Sequence, residues 1–164
     1  MINYIQNEKN DEIYTPVEAI LPILKYLDKN KTYWECTDFG SSKITSTLRE
    51  NGFKVVSSSK KEIDFLKDKP DFKFDAIITN PPYSLKNEFL DRAYKIGKPF
   101  AMLLPIHTLE GVFRGGLFAE NGLELVVLNR RVKFYGKGSW FNTSWFCWKT
   151  CERELNFENV SRNG

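Results

Sequence analysis

The chain has 164 residues, 41% of them hydrophobic and 15% aromatic, which suits one domain with its own core. No apolar run approaches the ~18 residues of a membrane span, and the polar start Asn7-Glu8-Lys9-Asn10-Asp11-Glu12 is unlike a signal peptide, so a cytoplasmic location and no membrane partner are expected. Cys36, Cys147 and Cys151 follow neither disulfide nor zinc spacing, His107 stands alone, and a net charge of +3 permits a nucleic-acid partner without demanding one.

Strands and helices alternate along the chain between two polar ends, 1–12 and 151–164, that read as loose segments flanking one domain over 13–150. Thr15-Pro16-Val17-Glu18 is a capping box with Pro at the first helical position. Val17, Ile20, Leu21, Leu24 and Leu27 carry the helical face onward, and Pro22 predicts a kink or restart. Lys31 to Cys36 is the first strand, followed by the turn Thr37-Asp38-Phe39-Gly40-Ser41-Ser42 and a helix from about Lys43 to Asn51 capped by Gly52. Phe53 to Ser57 and Phe72 to Thr79 read as the next strands, with a short helix or loop over 60–70 between them. Ser84 can cap a helix whose inner face is Leu85, Phe89, Ala93 and Ile96, and Gly97 stops it. Phe100 to Leu104 is a strand, and Gly111, Gly115 and Gly116 leave 106–122 ambiguous. Leu123 to Leu128, Val132 to Tyr135 and Ser144 to Trp148 are the last strands, and an adjacent late pair would give a mostly parallel sheet an antiparallel edge strand.

Asn80-Pro81-Pro82-Tyr83 is the most informative stretch. It closes the apolar run Phe74-Asp75-Ala76-Ile77-Ile78-Thr79, where two prolines stiffen the turn and remove two backbone donors, leaving carbonyls without their usual partners. A stiff, acceptor-rich loop at the carboxyl end of a strand is where open α/β sheets bind ligands. Asn80 adds an amide and Tyr83 a flat face, a combination suited to a planar ring with an exocyclic amino group. Asp38-Phe39-Gly40-Ser41, at the first strand-to-helix turn, is weak evidence alone, because no second glycine completes a G-x-G.

The order Tyr14-Thr15-Pro16, then Trp34-Glu35-Cys36-Thr37-Asp38-Phe39-Gly40, then Asp64-Phe65-Leu66, then Asn80-Pro81-Pro82-Tyr83 resembles the S-adenosylmethionine-dependent DNA amino-methyltransferases. The resemblance is to the small adenine-N6 enzymes common in phages and prophages, and it runs from about Asn10 to Lys149. It implies a Rossmann-like α/β fold with helices on both faces, and methyl transfer from S-adenosylmethionine to the N6 of adenine in double-stranded DNA. Cytosine N4, RNA and protein glutamine remain alternatives, as does a non-catalytic binder that keeps the fold. On this resemblance Tyr14, Thr15 and Pro16 lie against the methionine end of the cofactor, Glu35, Asp38 and Gly40 line its centre, and Asp64 and Phe65 meet its adenine. Asn80 and the Pro81 carbonyl accept from the target amino group, Pro82 keeps the turn stiff, and Tyr83 stacks on the base. The chain departs from the family at Ser57-Ser58-Ser59-Lys60, where an acid usually meets the ribose, and at Ser41 or Ser42, where another glycine usually stands. Arg114 and the run Arg130, Arg131, Lys133 and Lys137 are the candidate nucleic-acid contacts, with a solvated basic hairpin as the plainer reading of the run. A separate recognition partner or a homodimer is compatible with so short a chain.

Overall fold

The computed structural model describes residues 15–134 and 140–161. Its first helical segment, α1 (Val17–Ile20), passes into a 3-10 segment, Leu21–Tyr26, at the expected interruption by Pro22. β1 (Thr32–Glu35), α2 (Lys43–Glu50) and β2 (Lys54–Ser57) make the first crossover unit. β3 (Ala76–Thr79) leads through the 3-10 turn Tyr83–Leu85 into α3 (Lys86–Ile96), which ends on the left-handed Gly97. β4 (Phe100–Pro105) is followed by a 3-10 turn, Ile106–Leu109, and α4 (Val112–Asn121), so the ambiguous stretch is helical despite its glycines. β5 (Glu124–Leu128), β6 (Val132–Lys133), β7 (Trp140–Phe141), β8 (Thr143–Trp148) and β9 (Leu155–Glu158) complete the fold.

Seven strands form one sheet in the order β2-β1-β3-β4-β8-β5-β9, while β6 and β7 pair separately. β1 pairs in parallel with both β2 and β3, and β3 in parallel with β4. β8 runs antiparallel to β4 and β5. The expected antiparallel strand is thus present, inside the sheet rather than at its rim, because β9 adds in parallel to the far side of β5. That seventh strand corrects the reading of 151–164 as a loose polar tail. Its backbone is held by Leu125 N on Glu154 O at 2.7 Å and Asn129 N on Glu158 O at 3.0 Å.

Side-chain alternation divides the core into two layers. Tyr33, Ile78, Ala101, Leu103, Val126 and Trp145 face α1 and α2 with Ile20, Ile44 and Leu48. Trp34, Ile77, Phe100, Met102, Leu104 and Phe146 face the other way, onto Phe89, Leu90 and Ala93 of α3. The third strand is shorter than expected because Phe72 and Phe74, which precede it, turn into an aromatic cluster around Trp34 at ring distances of 5.6 and 5.0 Å. Because β1 has β2 on one side and β3 on the other, the strand order reverses between β1 and β3. The crevice at their carboxyl ends is where such sheets take ligands.

Candidate active site at the carboxyl ends of β1 and β3

Glu35, the last residue of β1, is fully buried, and its carboxyl group is a hub. One oxygen accepts from Thr37 N at 3.0 Å, Thr37 Oγ1 at 3.1 Å and Thr79 Oγ1 at 2.7 Å. The other accepts from Ser42 Oγ at 2.8 Å. Thr37 and Thr79 hydroxyls also lie 2.7 Å apart, and Thr37 Oγ1 reaches the Asn80 carbonyl at 3.5 Å. These bonds tie the end of β1 to the end of β3. Burial without such donors would be costly for a carboxyl group, so the threonines and Ser42 are what make Glu35 tolerable there.

Asp38 serves its own turn in the same way. One carboxylate oxygen accepts from Gly40 N at 2.7 Å and Ser42 N at 3.1 Å, and the other from Thr45 Oγ1 at 2.8 Å. Ser42 is the N-cap of α2, accepting from Thr45 N at 3.3 Å. Glu35 is thus buried among its own donors, and Asp38 spends one oxygen on the turn that Gly40 opens and the other on α2. Gly40, at φ 103°, has open space where a side chain would sit.

The serines after β2 also acquire a structural role. Ser58 Oγ accepts from Trp34 Nε1 at 2.8 Å, Ser58 N donates to Glu35 O at 3.0 Å, and Ser58 O accepts from Asp38 N at 3.0 Å. Glu62 folds back onto Ser59 N at 2.7 Å. Asp64 is half-buried and uses one carboxylate oxygen on Leu66 N at 3.0 Å. Phe65, expected against adenine, is 1% exposed, stacked on Phe89 at 4.9 Å and tilted against Trp34 at 5.5 Å. An apolar ring flanked by two aromatic neighbours is held by core packing.

Asn80 is 1% exposed, and its Nδ2 donates to Thr15 Oγ1 at 2.7 Å. The capping box therefore does not form as expected. Pro16 is the N-cap of α1 with no side-chain cap bond, and the Thr15 hydroxyl is directed across to Asn80. This bond fixes the amide so that Oδ1 is its acceptor end. Pro16, Pro81 and Pro82 are buried and Tyr83 is half-buried against the second core layer. Lys86 Nζ donates to Tyr83 O at 3.2 Å, and burial, then the nearby Arg114 charge, push its ammonium pKa below the ordinary value. Tyr14 and Lys137 lie outside the described residues.

The candidate nucleic-acid contacts separate. Arg114 is a latch, donating from Nε to Thr108 O at 2.7 Å, from Nη1 to Asn87 Oδ1 at 2.7 Å and from Nη2 to Glu110 O. Arg130 donates to Val160 O, and Arg131 Nε to Asn142 Oδ1 at 3.1 Å. Arg131 and Lys133 are exposed beside the β6–β7 pair. The residues that sequence reasoning missed are Thr37, Thr79 and Ser42. The available signal was a hydroxyl at the end of each of two buried strands.

No protein-family model matches the chain, and no curated protein matches it. A solved structure with similar architecture is the methyltransferase subunit of a type I restriction-modification system from Streptococcus thermophilus. It aligns with a TM-score of 0.58 at 17% identity, over 90% of this chain and 47% of that one. The fold is that of the Rossmann-like methyltransferases. This chain spans about half the length of the type I subunit. A TehB-like SAM-dependent methyltransferase from Corynebacterium glutamicum aligns at 17% identity and a TM-score of 0.44, over 88% and 95% of the two chains. For the precorrin-6y C5,15-methyltransferase from Geobacter metallireducens the values are 11% and 0.43, over 91% and 100%.

Proposed function

We propose that this protein transfers a methyl group from S-adenosylmethionine to the N6 amino group of adenine in double-stranded DNA. The observation that carries the reading is Asn80-Pro81-Pro82-Tyr83 at the carboxyl end of β3, with the Asn80 amide oriented by Thr15 beside the strand-order reversal. The amino nitrogen of adenine is a poor nucleophile, because its lone pair is delocalised into the ring. Acceptors at Asn80 Oδ1 and the Pro81 carbonyl favour the pyramidal nitrogen and the positive charge that develops on attack. Tyr83, half-buried after the two prolines, supplies a stacking face for a base taken out of the duplex.

The chain's residues fit the cofactor in a specific way. The Asp38 turn is organised internally, and Gly40 leaves its backbone open to close approach. Thr15, Pro16 and Asp64 complete the candidate wall, with Tyr14 assigned to it from the sequence alone. Glu35 acts behind that wall by holding the turn and Thr79. When bound, S-adenosylmethionine supplies a methyl already activated as a sulfonium, so the protein's part is alignment. Arg130, Arg131, Lys133 and Lys137 are proposed phosphate contacts, and the type I neighbour makes a separate recognition partner a reasonable companion proposal.

The test incubates the protein with methyl-labelled S-adenosylmethionine and unmethylated duplex DNA, then analyses nucleosides by mass spectrometry. Labelled N6-methyladenine is expected, falling about 100-fold or more in Asn80→Ala, the scale seen when one preorganised polar contact to a developing charge is lost. Label on cytosine, or on RNA or protein in parallel reactions, would replace the substrate. No label anywhere would refute the methyltransferase reading.

A further inference from the structure

Three of the exposed large hydrophobic side chains lie within five residues of one another. Leu109 is 42% exposed, Val112 98% and Phe113 51%. Leaving such side chains in water forfeits the stabilisation that burial would give. α4 does have an inner face, Leu117 and Phe118, which packs on the second core layer. Phe113 stands one turn before Leu117 on that face, at the end of the helix that starts from the carboxyl edge of the sheet.

The tip is held rigidly. Arg114 binds the carbonyls of Thr108 and Glu110 on both sides of Leu109 and anchors them to Asn87 of α3. Gly111 has φ 126°, and a Cβ there would fall 2.8 Å from Arg114 Nη2, so the clamp requires glycine. A stiff apolar point costs little conformational entropy when something covers it.

Its position says what covers it. The segment leaves β4, the neighbour of β3, so it shares an edge with Asn80-Pro81-Pro82-Tyr83. Tyr83, Lys86, Asn87 and Arg114 link the two loops, since Lys86 holds Tyr83 O, its neighbour Asn87 accepts from Arg114, and Phe113 precedes Arg114. Every acceptor of Arg114 is neutral, so its charge is not compensated there. Along the same edge, at the carboxyl end of β5, lie Arg130, Arg131 and Lys133. Glu88 and Glu110, both exposed, place negative charge on the flank toward α3, which leaves the 130–133 side for phosphates.

We propose that Leu109, Val112 and Phe113 form an apolar wedge that enters the base stack of duplex DNA and holds open the step from which the target nucleotide leaves. The proposal rests on the DNA-methyltransferase reading above. Apolar side chains inserted between base steps partially unstack them, and a flipped base leaves a gap that such a side chain fills. A single-stranded substrate needs no wedge. That difference makes the idea testable.

The experiment compares methylation of the duplex and single-stranded forms of the same unmethylated DNA by wild type, the double variant Val112→Ser/Phe113→Ser, and Phe113→Trp. The double variant is expected to lose about 10-fold or more in kcat/KM on duplex, while single-stranded DNA is methylated within about twofold of wild type, because only the duplex requires unstacking. Phe113→Trp should keep the duplex rate. Equal losses on both forms, or no loss on either, would overturn the wedge. A variant that changes only the sedimentation of the protein would overturn it too and assign the patch to a protein partner or a second copy. If wild type methylates neither form, the DNA-methyltransferase reading fails by itself. The wedge is then decided by a duplex carrying 2-aminopurine in place of adenine. Its fluorescence should rise with wild type and not with the double variant, and no rise with wild type would refute insertion.

Discussion

Thr79 shows how much one hydroxyl can carry. It donates to Glu35 at 2.7 Å inside a fully buried site and lies 2.7 Å from the Thr37 hydroxyl. Replacing it with Val keeps the shape and removes a donor from a buried carboxyl, which costs about 1–3 kcal/mol. Thr79→Val should therefore lower stability by that amount and weaken binding of S-adenosylmethionine. Thr79→Ser should recover most of both, read by denaturant melts and titration calorimetry. A Val variant as stable as wild type would remove the threonine from the hub. The sequence made Asn80-Pro81-Pro82-Tyr83 conspicuous because two prolines and an aromatic leave little freedom. It could not reveal that Glu35 faces inward, since a carboxylate at a strand end has the same pattern whether its donors come from a ligand or from Thr37, Thr79 and Ser42.

At the scale of elements, the legible features were those with local causes. Pro22 converts α1 into a 3-10 segment, and Gly97 ends α3 in the left-handed conformation. α4 was ambiguous because Gly115 and Gly116 lower intrinsic helicity, and its helix is held by tertiary contacts that no local pattern records. Neither glycine is needed for space, since a Cβ at either meets nothing within 4 Å. Gly116 is exposed within the helix, so Gly116→Ala should raise stability by about 0.5–1 kcal/mol. Chemical denaturation checks it. A destabilised variant would mean that the glycine serves a contact beyond this helix.

At the scale of the whole molecule, β9 is the element that sequence reasoning lost, and its inverted pattern explains why. Leu155 and Phe157 are exposed at 53% and 68%, while the polar Asn156 and Glu158 turn toward the protein. Asn156 Nδ2 donates to Leu125 O at 3.0 Å, and Glu158 accepts from Tyr26 at 2.5 Å and pairs with Lys25. The last strand is thus tied to the 3-10 segment after α1 by one carboxylate. Burial pushes the Glu158 carboxyl pKa up, but the hydrogen bonds from Lys25 and Tyr26 outweigh it and hold the group below its ordinary value of 4.5. A carboxyl whose folded pKa is depressed contributes stability above its unfolded pKa and loses it as pH falls through the folded value. Lys25 is 62% exposed, so the contribution is that of a screened pair, about 0.5–1 kcal/mol. Glu158→Gln should melt a few degrees below wild type near neutral pH, and that gap should close as pH drops below about 4.5. Other carboxyls titrate in both proteins and cancel in the difference. A gap that persists undiminished to about pH 3 would show that Glu158 acts through packing rather than through its charge, since protonation leaves its packing in place.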